Sequence, residues 1–262
     1  RFINPALCDI TERLVFTNPF TDYGGDNVLF APNADFLQQA LYEDAPLLLE
    51  AAKLKQLFVT KAQSLLHGDL HTGSVLINDE KTMVLDPEFA FYGPAGYDIG
   101  NMIANLIFAW ANAEATMPNS AEKTRFTAWV QQSVVEIIDD FFTKAKAILQ
   151  TQGTDIMAQS AAFIEWYLRD ILCDAAGFCG TELCRRVIGD AKVRDITEVQ
   201  DANARVYAER ICVLAGKRFI IHRQQHLCGE AYVATLLKAC AEAQKTLDNA
   251  NKKEGNFDGT CG

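Results

Sequence analysis

The chain has 262 residues, 49% of them hydrophobic and 22% charged, which is ample for a real core and excludes a disordered or fibrous protein. Twenty-four basic against 34 acidic side chains leave a formal charge of -10, so the average surface repels a nucleic-acid backbone and no nucleic-acid partner is expected. Apolar runs such as Asn101 to Trp110 fall far short of the roughly 20 residues that cross a bilayer, and no charged-then-apolar leader opens the sequence, so the expectation is a cytoplasmic protein without a membrane partner.

The sequence starts at Arg1 as if in mid-protein, and Asn4-Pro5 through Asp9-Ile10-Thr11-Glu12 reads as the approach to a capped helix. Gly24-Gly25 is turn material. From Ala34 to Lys61 apolar residues recur at helical spacing with a break near Asp44-Ala45-Pro46, which predicts two helices. At His67 the character changes. Gly68 and Gly73 bracket a loop, and Val75-Leu76-Ile77 and Thr82-Met83-Val84-Leu85 are β-prone runs separated by Asn78-Asp79-Glu80-Lys81, which together predict a hairpin. Beyond Gly93-Pro94-Ala95-Gly96, helical periodicity holds from Tyr97 to about Leu247, with breaks expected at Met117 to Ser120, at Gly153 and at Gly177 to Gly180. Thr154 and Thr181 are candidate N-caps. Phe163, Trp166 and Tyr167 lie at core spacing. A polar, Gly-rich segment, 251–262, is expected to be a frayed tail. The fold class is therefore α+β, predominantly helical, with one short hairpin. The eight cysteines contain no C-x-x-C pair and only four histidines accompany them, so reduced, mostly buried thiols are expected rather than a zinc site.

An antiparallel hairpin sets the residues entering its first strand beside those leaving its second. The loop His67-Gly68-Asp69-Leu70-His71-Thr72-Gly73-Ser74 and the exit Asp86-Pro87-Glu88 must then share one end, bringing Asp69, Asp86 and Glu88 together. Pro87 biases Asp86 toward extended backbone, in which Asp86 and Glu88 project to one face and suit a single hard cation. Carboxylates that hold Mg²⁺ against nucleotide phosphates, with a further acid on the attacking hydroxyl, are what phosphoryl transfer requires. The plainer alternative is loop acids acting as caps or solvated charges. His67 and His71 stand as metal ligands or as hydrogen-bonding loop residues, and Ser74 as a ligand to metal or phosphate or as a partner of the loop backbone.

The strings HGDLHTGS and VLDPEFAFYGPAGYDIG resemble the small-molecule kinases of the protein-kinase-like superfamily, in the 5-methylthioribose kinase branch. NPALCDITERLVFTNPF and FCGTELCRRVIGDAK are similar to that branch as well, and the resemblance covers about residues 2 to 222. Generic relatives carry H-G-D-x-x-x-x-N and then D-x-D or D-x-E; Ser74 in place of Asn and the Asp86-Pro87-Glu88 triplet point to the methylthioribose branch. The resemblance implies an ATP-dependent, Mg²⁺-requiring enzyme of methionine salvage, a cytoplasmic homodimer that phosphorylates the 1-hydroxyl of 5-methylthioribose. It implies Asp69 as the catalytic acid on the sugar hydroxyl, Asp86 and Glu88 as ligands of Mg²⁺-ATP with Pro87 and Ser74 beside them, and Arg185 and Arg186 at the substrate and phosphate end of the cleft. Adjacent helical residues point about 100° apart, so at most one of the two arginines need face the site.

The sequence departs from that family in one large respect. The 66 residues before His67 contain no Gly-rich phosphate loop, no phosphate-pairing lysine and no G-x-x-x-x-G-K-[ST]. The expectation is that residues 1–250 are a C-terminal lobe without its nucleotide lobe, inactive alone, with an open face near Leu70 and Phe89 to Tyr92. A kinase for another small alcohol, of the choline or aminoglycoside type, and a catalytically silent binding or dimerisation module are the rival readings.

Overall fold

The computed structural model describes residues 3–257. Short helices open the chain: α1 (Pro5–Thr11), a π-helical stretch (Glu12–Thr17), α2 (Asn18–Thr21), then α3 (Ala34–Leu37) running into a second π-helical stretch (Gln38–Tyr42). The Asp44 side chain accepts from the Leu47 amide at 2.9 Å and, with Pro46 in the first turn, starts α4 (Ala45–Thr60). Four short strands follow: β1 (Ser64–Leu65), β2 (Val75–Ile77), β3 (Thr82–Val84) and β4 (Tyr92–Gly93). Strands β2 and β3 form the expected hairpin with Val75 opposite Val84, its turn tied by Asn78 Oδ1 to the amides of Glu80 and Lys81. Strands β1 and β4 pair antiparallel around it, Ser64 opposite Gly93.

The rest is helical: α5 (Gly96–Thr116), α6 (Ala121–Gln152), α7 (Ala161–Ile188), α8 (Arg194–Thr197), α9 (Ala202–Ile221) and α10 (Gly229–Phe257). Ser120, Ser160 and Asp201 cap α6, α7 and α9 by accepting amides three residues on. The core lies among α5, α7 and α9. A Cβ on Gly100 would stand 2.5 Å from the Ala175 carbonyl oxygen, so α5 and α7 touch backbone to backbone. Phe16, Phe58, Phe91, Tyr97 and Phe178 pack through tilted and edge-to-face contacts in one aromatic cluster that binds the opening helices and α4 to α5 and α7.

Several expectations are corrected. Gly177 and Gly180 do not break the chain: α7 passes through them, because at Gly180 a Cβ would sit 2.5 Å from the Gly216 oxygen of α9 and glycine is needed there for close packing. Thr181 is accordingly a buried mid-helix residue bonded to the Phe178 carbonyl rather than an N-cap, and Asp155 caps the short turn where Thr154 was expected to act. Trp166 is 59% exposed, with Phe163 and Tyr167 only partly buried, because the stripe of α7 that packs against Phe141, Phe142, Ala145 and Leu149 of α6 is Ile164, Leu168 and Ile171, with Tyr167 at its edge. The open apolar face is only partly where expected: Tyr92 is exposed, but Phe91 is buried and Leu70 and Phe89 are half-buried, and the exposed apolar residues lie instead on the hairpin, at Leu76, Ile77, Met83 and Val84. Helix α10 runs through 251–257 of the expected tail, and 258–262 lie outside the described residues. Seven cysteines are free thiols, with Cys179, Cys184 and Cys212 fully buried; Cys261 lies outside the described residues. Among the described residues no helix is long and apolar enough to cross a membrane.

His226 supplies a pH dependence. It is buried against the rings of Phe219 and Tyr232, with Nδ1 bonded to the His222 carbonyl and Nε2 to the Thr235 hydroxyl, and this burial pulls its pKa down to about 4. Between about pH 6.5 and 4 the unfolded chain binds a proton that the folded chain refuses, so stability present near neutrality is lost as the pH falls through this window. Urea unfolding across the window is expected to show a decline of up to about 3 kcal/mol, and His226→Gln should flatten that part of the profile.

Candidate functional site

The loop His67 to Ser74 is fixed from below by α5. Asp98, in the first turn of that helix, accepts the His67 amide at 2.6 Å and the Gly68 amide at 3.0 Å. Burial pushes the Asp98 carboxyl above its usual range despite these two donors. Gly68 has a φ of +85°, and a Cβ there would lie 2.3 Å from the Phe89 oxygen, so both conformation and space require glycine. His67 bridges the two sides of the hairpin base: Nε2 donates to the Leu85 carbonyl at 2.6 Å while Nδ1 accepts the Asp69 amide at 3.3 Å. Both ring nitrogens are thus occupied, which favours hydrogen bonding over metal ligation. His71 Nε2 meets Ser74 Oγ at 3.2 Å, and the Ser74 backbone carbonyl accepts the Leu85 amide.

The exit segment differs from expectation. Asp86 is not extended but left-handed, with φ +58° and ψ +52°, and Pro87–Phe89 form a 3₁₀ turn. A non-glycine residue in this region costs on the order of 1–3 kcal/mol, and the surroundings over-determine it: Ser74 holds Leu85, and Asn4 Nδ2 reaches from the start of α1 to the Glu88 carbonyl at 2.7 Å. The same-face argument from an extended chain therefore fails, although Asp86 and Glu88 do converge. Asp69, His71, Gly73, Ser74, Asp86, Pro87 and Glu88 line one open cavity of about 560 Å³. Among the described residues neither the Asp86 nor the Glu88 carboxylate has a hydrogen-bond donor or a cation.

Asp69 also lines a second, smaller cavity of about 140 Å³ with Arg185, Arg186 and a wall that includes Ile10, Leu14, Val15, Phe89 and Tyr97. Both arginines, not one, face it: the Asp69 carboxylate lies 4.0 Å from Arg185 Nη2 and 3.8 Å from Arg186 Nη2. Glu182, which sequence reasoning missed, explains the convergence. It binds Arg185 through Nε and Nη2 and Arg186 Nε at 2.7 Å. Burial opposes the Glu182 charge, but the two guanidiniums outweigh it and hold the carboxyl below its ordinary range. The spacing of Glu182 to Arg185 and Arg186, three and four residues, was the available signal. Asp98 had none of that kind, since its partners lie about 30 residues away.

Residues 8–124 match the phosphotransferase enzyme family. The methylthioribose kinase of Geobacillus thermodenitrificans is 40% identical over 224 residues, covering 86% of this chain and 54% of that protein. Those of Exiguobacterium sibiricum and Bacillus cereus strain G9842 are 38% and 37% identical, covering 86% and 84% of this chain and 55% and 53% of theirs. The resemblance read from the loop motifs is thereby borne out. The chain spans about half the length of the curated relatives it matches.

The two amides on Asp98 give a direct test of how the loop is held. Asn at this position retains one acceptor and turns an N–H toward the other amide, so Asp98→Asn is expected to destabilise the fold by about 1–3 kcal/mol. Hydrogen exchange should show the His67 and Gly68 amides losing protection first.

Proposed function

We propose that this chain is the acid-bearing, substrate-holding part of an ATP-dependent kinase that phosphorylates the 1-hydroxyl of 5-methylthioribose in methionine salvage. The observation that carries this reading is the position of Asp69 in the wall shared by two cavities, one lined by acids and one by two guanidiniums and apolar side chains. A hydroxyl held in the second cavity meets Asp69, which orients it and accepts its proton as a phosphoryl group arrives from the first. Arg185 and Arg186 bind sugar oxygens or the transferred phosphate, and Ile10, Leu14 and Phe89 suit the methylthio end. The names of the relatives and the family match support the reading, and the loop motifs favour it over choline or aminoglycoside kinases and over a silent module.

Asp86 and Glu88 fit Mg²⁺: they are two unpartnered hard oxygen donors on an open cavity, with Ser74 and Pro87 completing that wall. When bound, Mg²⁺ supplies charge neutralisation at the nucleotide phosphates. Among the described residues no group of three His, Cys, Asp or Glu side chains forms a metal cage, which suits a cation held jointly with the nucleotide. The reading makes residues 1–250 the C-terminal lobe of a protein-kinase-like fold, supported by the predominance of helices, the half-length coverage of the relatives and the absence of a Gly-rich loop and its lysine from this sequence. A cytoplasmic homodimer belongs to the same reading and rests on the resemblance alone.

A coupled ADP assay tests it. A form spanning the full length of the relatives should turn over methylthioribose in preference to choline or aminoglycosides, while the 262-residue chain alone, which lacks the means to hold ATP in line, should be silent. Asp69→Asn in the longer form is expected to lower kcat by about 10² to 10⁴-fold with little change in stability. Near-normal turnover in that variant removes Asp69 from the chemistry. Titration calorimetry of the present chain should detect only weak Mg²⁺ binding without nucleotide, since magnesium keeps its waters and relies on phosphate oxygens; tight binding would contradict the assignment of Asp86 and Glu88.

A further inference from the structure

We propose that Glu182 is a positioning residue for the sugar pocket, holding both guanidiniums by their Nε edges so that both Nη2 groups face Asp69. The inference rests on reading that pocket as the sugar site. Residues three and four positions on from Glu182 lie on its own face of α7, so one carboxylate meets both arginines although their Cα–Cβ vectors diverge by about 100°. Arg185 donates to it through Nε and through Nη2 at 3.2 Å, and Arg186 through Nε at 2.7 Å, with Arg186 Nη1 at 3.3 Å from the Ala191 carbonyl.

The consequence for Asp69 lies in the distances. An unrestrained guanidinium beside a carboxylate closes to a charge-assisted pair at about 2.7–2.9 Å. Here the two Nη2 atoms stop at 4.0 and 3.8 Å from Asp69, while the shorter bonds go to Glu182. Glu182 thus keeps the arginines short of the acid, leaving oxygens on Asp69 and donors on both arginines free for the same small ligand. Its side chain is 1% exposed and cannot itself touch that ligand, so it acts only through Arg185 and Arg186. A lysine cannot replace either arginine here, because its single ammonium cannot present one edge to Glu182 and another to the pocket.

The test uses the form spanning the full length of the relatives. Glu182→Gln keeps the shape and removes the charge, and is expected to lower kcat/KM for methylthioribose about 10²-fold, chiefly through a raised KM for the sugar, with the KM for ATP unchanged. Because this change leaves the buried Arg185 and the half-buried Arg186 short of a counter-charge and can unfold the protein, a measurement on the wild type accompanies it: the Arg185 and Arg186 Nε–H resonances should be protected from solvent exchange. A folded Glu182→Gln variant with the wild-type KM for the sugar overturns the proposal, as does an equal rise in both KM values or free exchange of either Nε–H in the wild type. If the wild type does not phosphorylate methylthioribose, it is the kinase reading that fails, and the Nε–H exchange then decides whether Glu182 holds the pair.

Discussion

Helix α5 rests its backbone on α7 through Gly96 and Gly100, where added Cβ atoms would come within 2.6 Å of the Ala175 amide nitrogen and 2.5 Å of the Ala175 oxygen. The whole site hangs on that close crossing. Asp98, in the first turn of α5, carries the loop that presents Asp69, and Glu182, Arg185 and Arg186, in the last turns of α7, carry the charges that meet it. A larger residue at either glycine would separate the two sets of groups, and a separation of even 1 Å in such a constellation would matter to the proposed phosphoryl transfer, which depends on positioning.

Around that crossing the charges are arranged by cavity. Asp86 and Glu88 stand unpartnered in the larger one, while Asp69 shares the smaller one with two cations that a buried acid already engages. The opening helices have a part in both. Asn4 ties α1 to the left-handed exit of the hairpin, and the π-helical stretch Glu12–Thr17 brings Leu14 and Val15 to the wall of the smaller cavity. A π-helical stretch at such a place is in keeping with the frequent occurrence of π-bulges at functional sites.

How far the site was legible depended on whether the partners were near in sequence. The hairpin was legible because its two β-prone runs and polar turn are contiguous, and it placed Asp69 near Asp86 and Glu88 by topology alone. The conformation of Asp86 was not, because the local bias imposed by Pro87 is smaller than the combined hold of Ser74 and Asn4 on either side of it. Trp166 misled for a similar reason: helical spacing identifies a stripe of α7, but the neighbours that bury or expose the stripe belong to α6 and the preceding loop.

The residue types and their spacing settled the helical character and the hairpin and pointed to the class of chemistry proposed above, since these follow from local periodicity and from short motifs whose parts are close in the chain. The packing of α7 against α4, α5 and α9 settled the rest. Gly177 and Gly180 read locally as breakers and serve as close-packing positions, and Asp98 has no local sign of the loop it holds. The pairing of both arginines with Asp69 likewise arises only when α7 is laid beside a loop more than 100 residues earlier. Contacts between segments so far apart depend on backbone approach and on shared counter-charges, and neither is written in the order of the residues that make them.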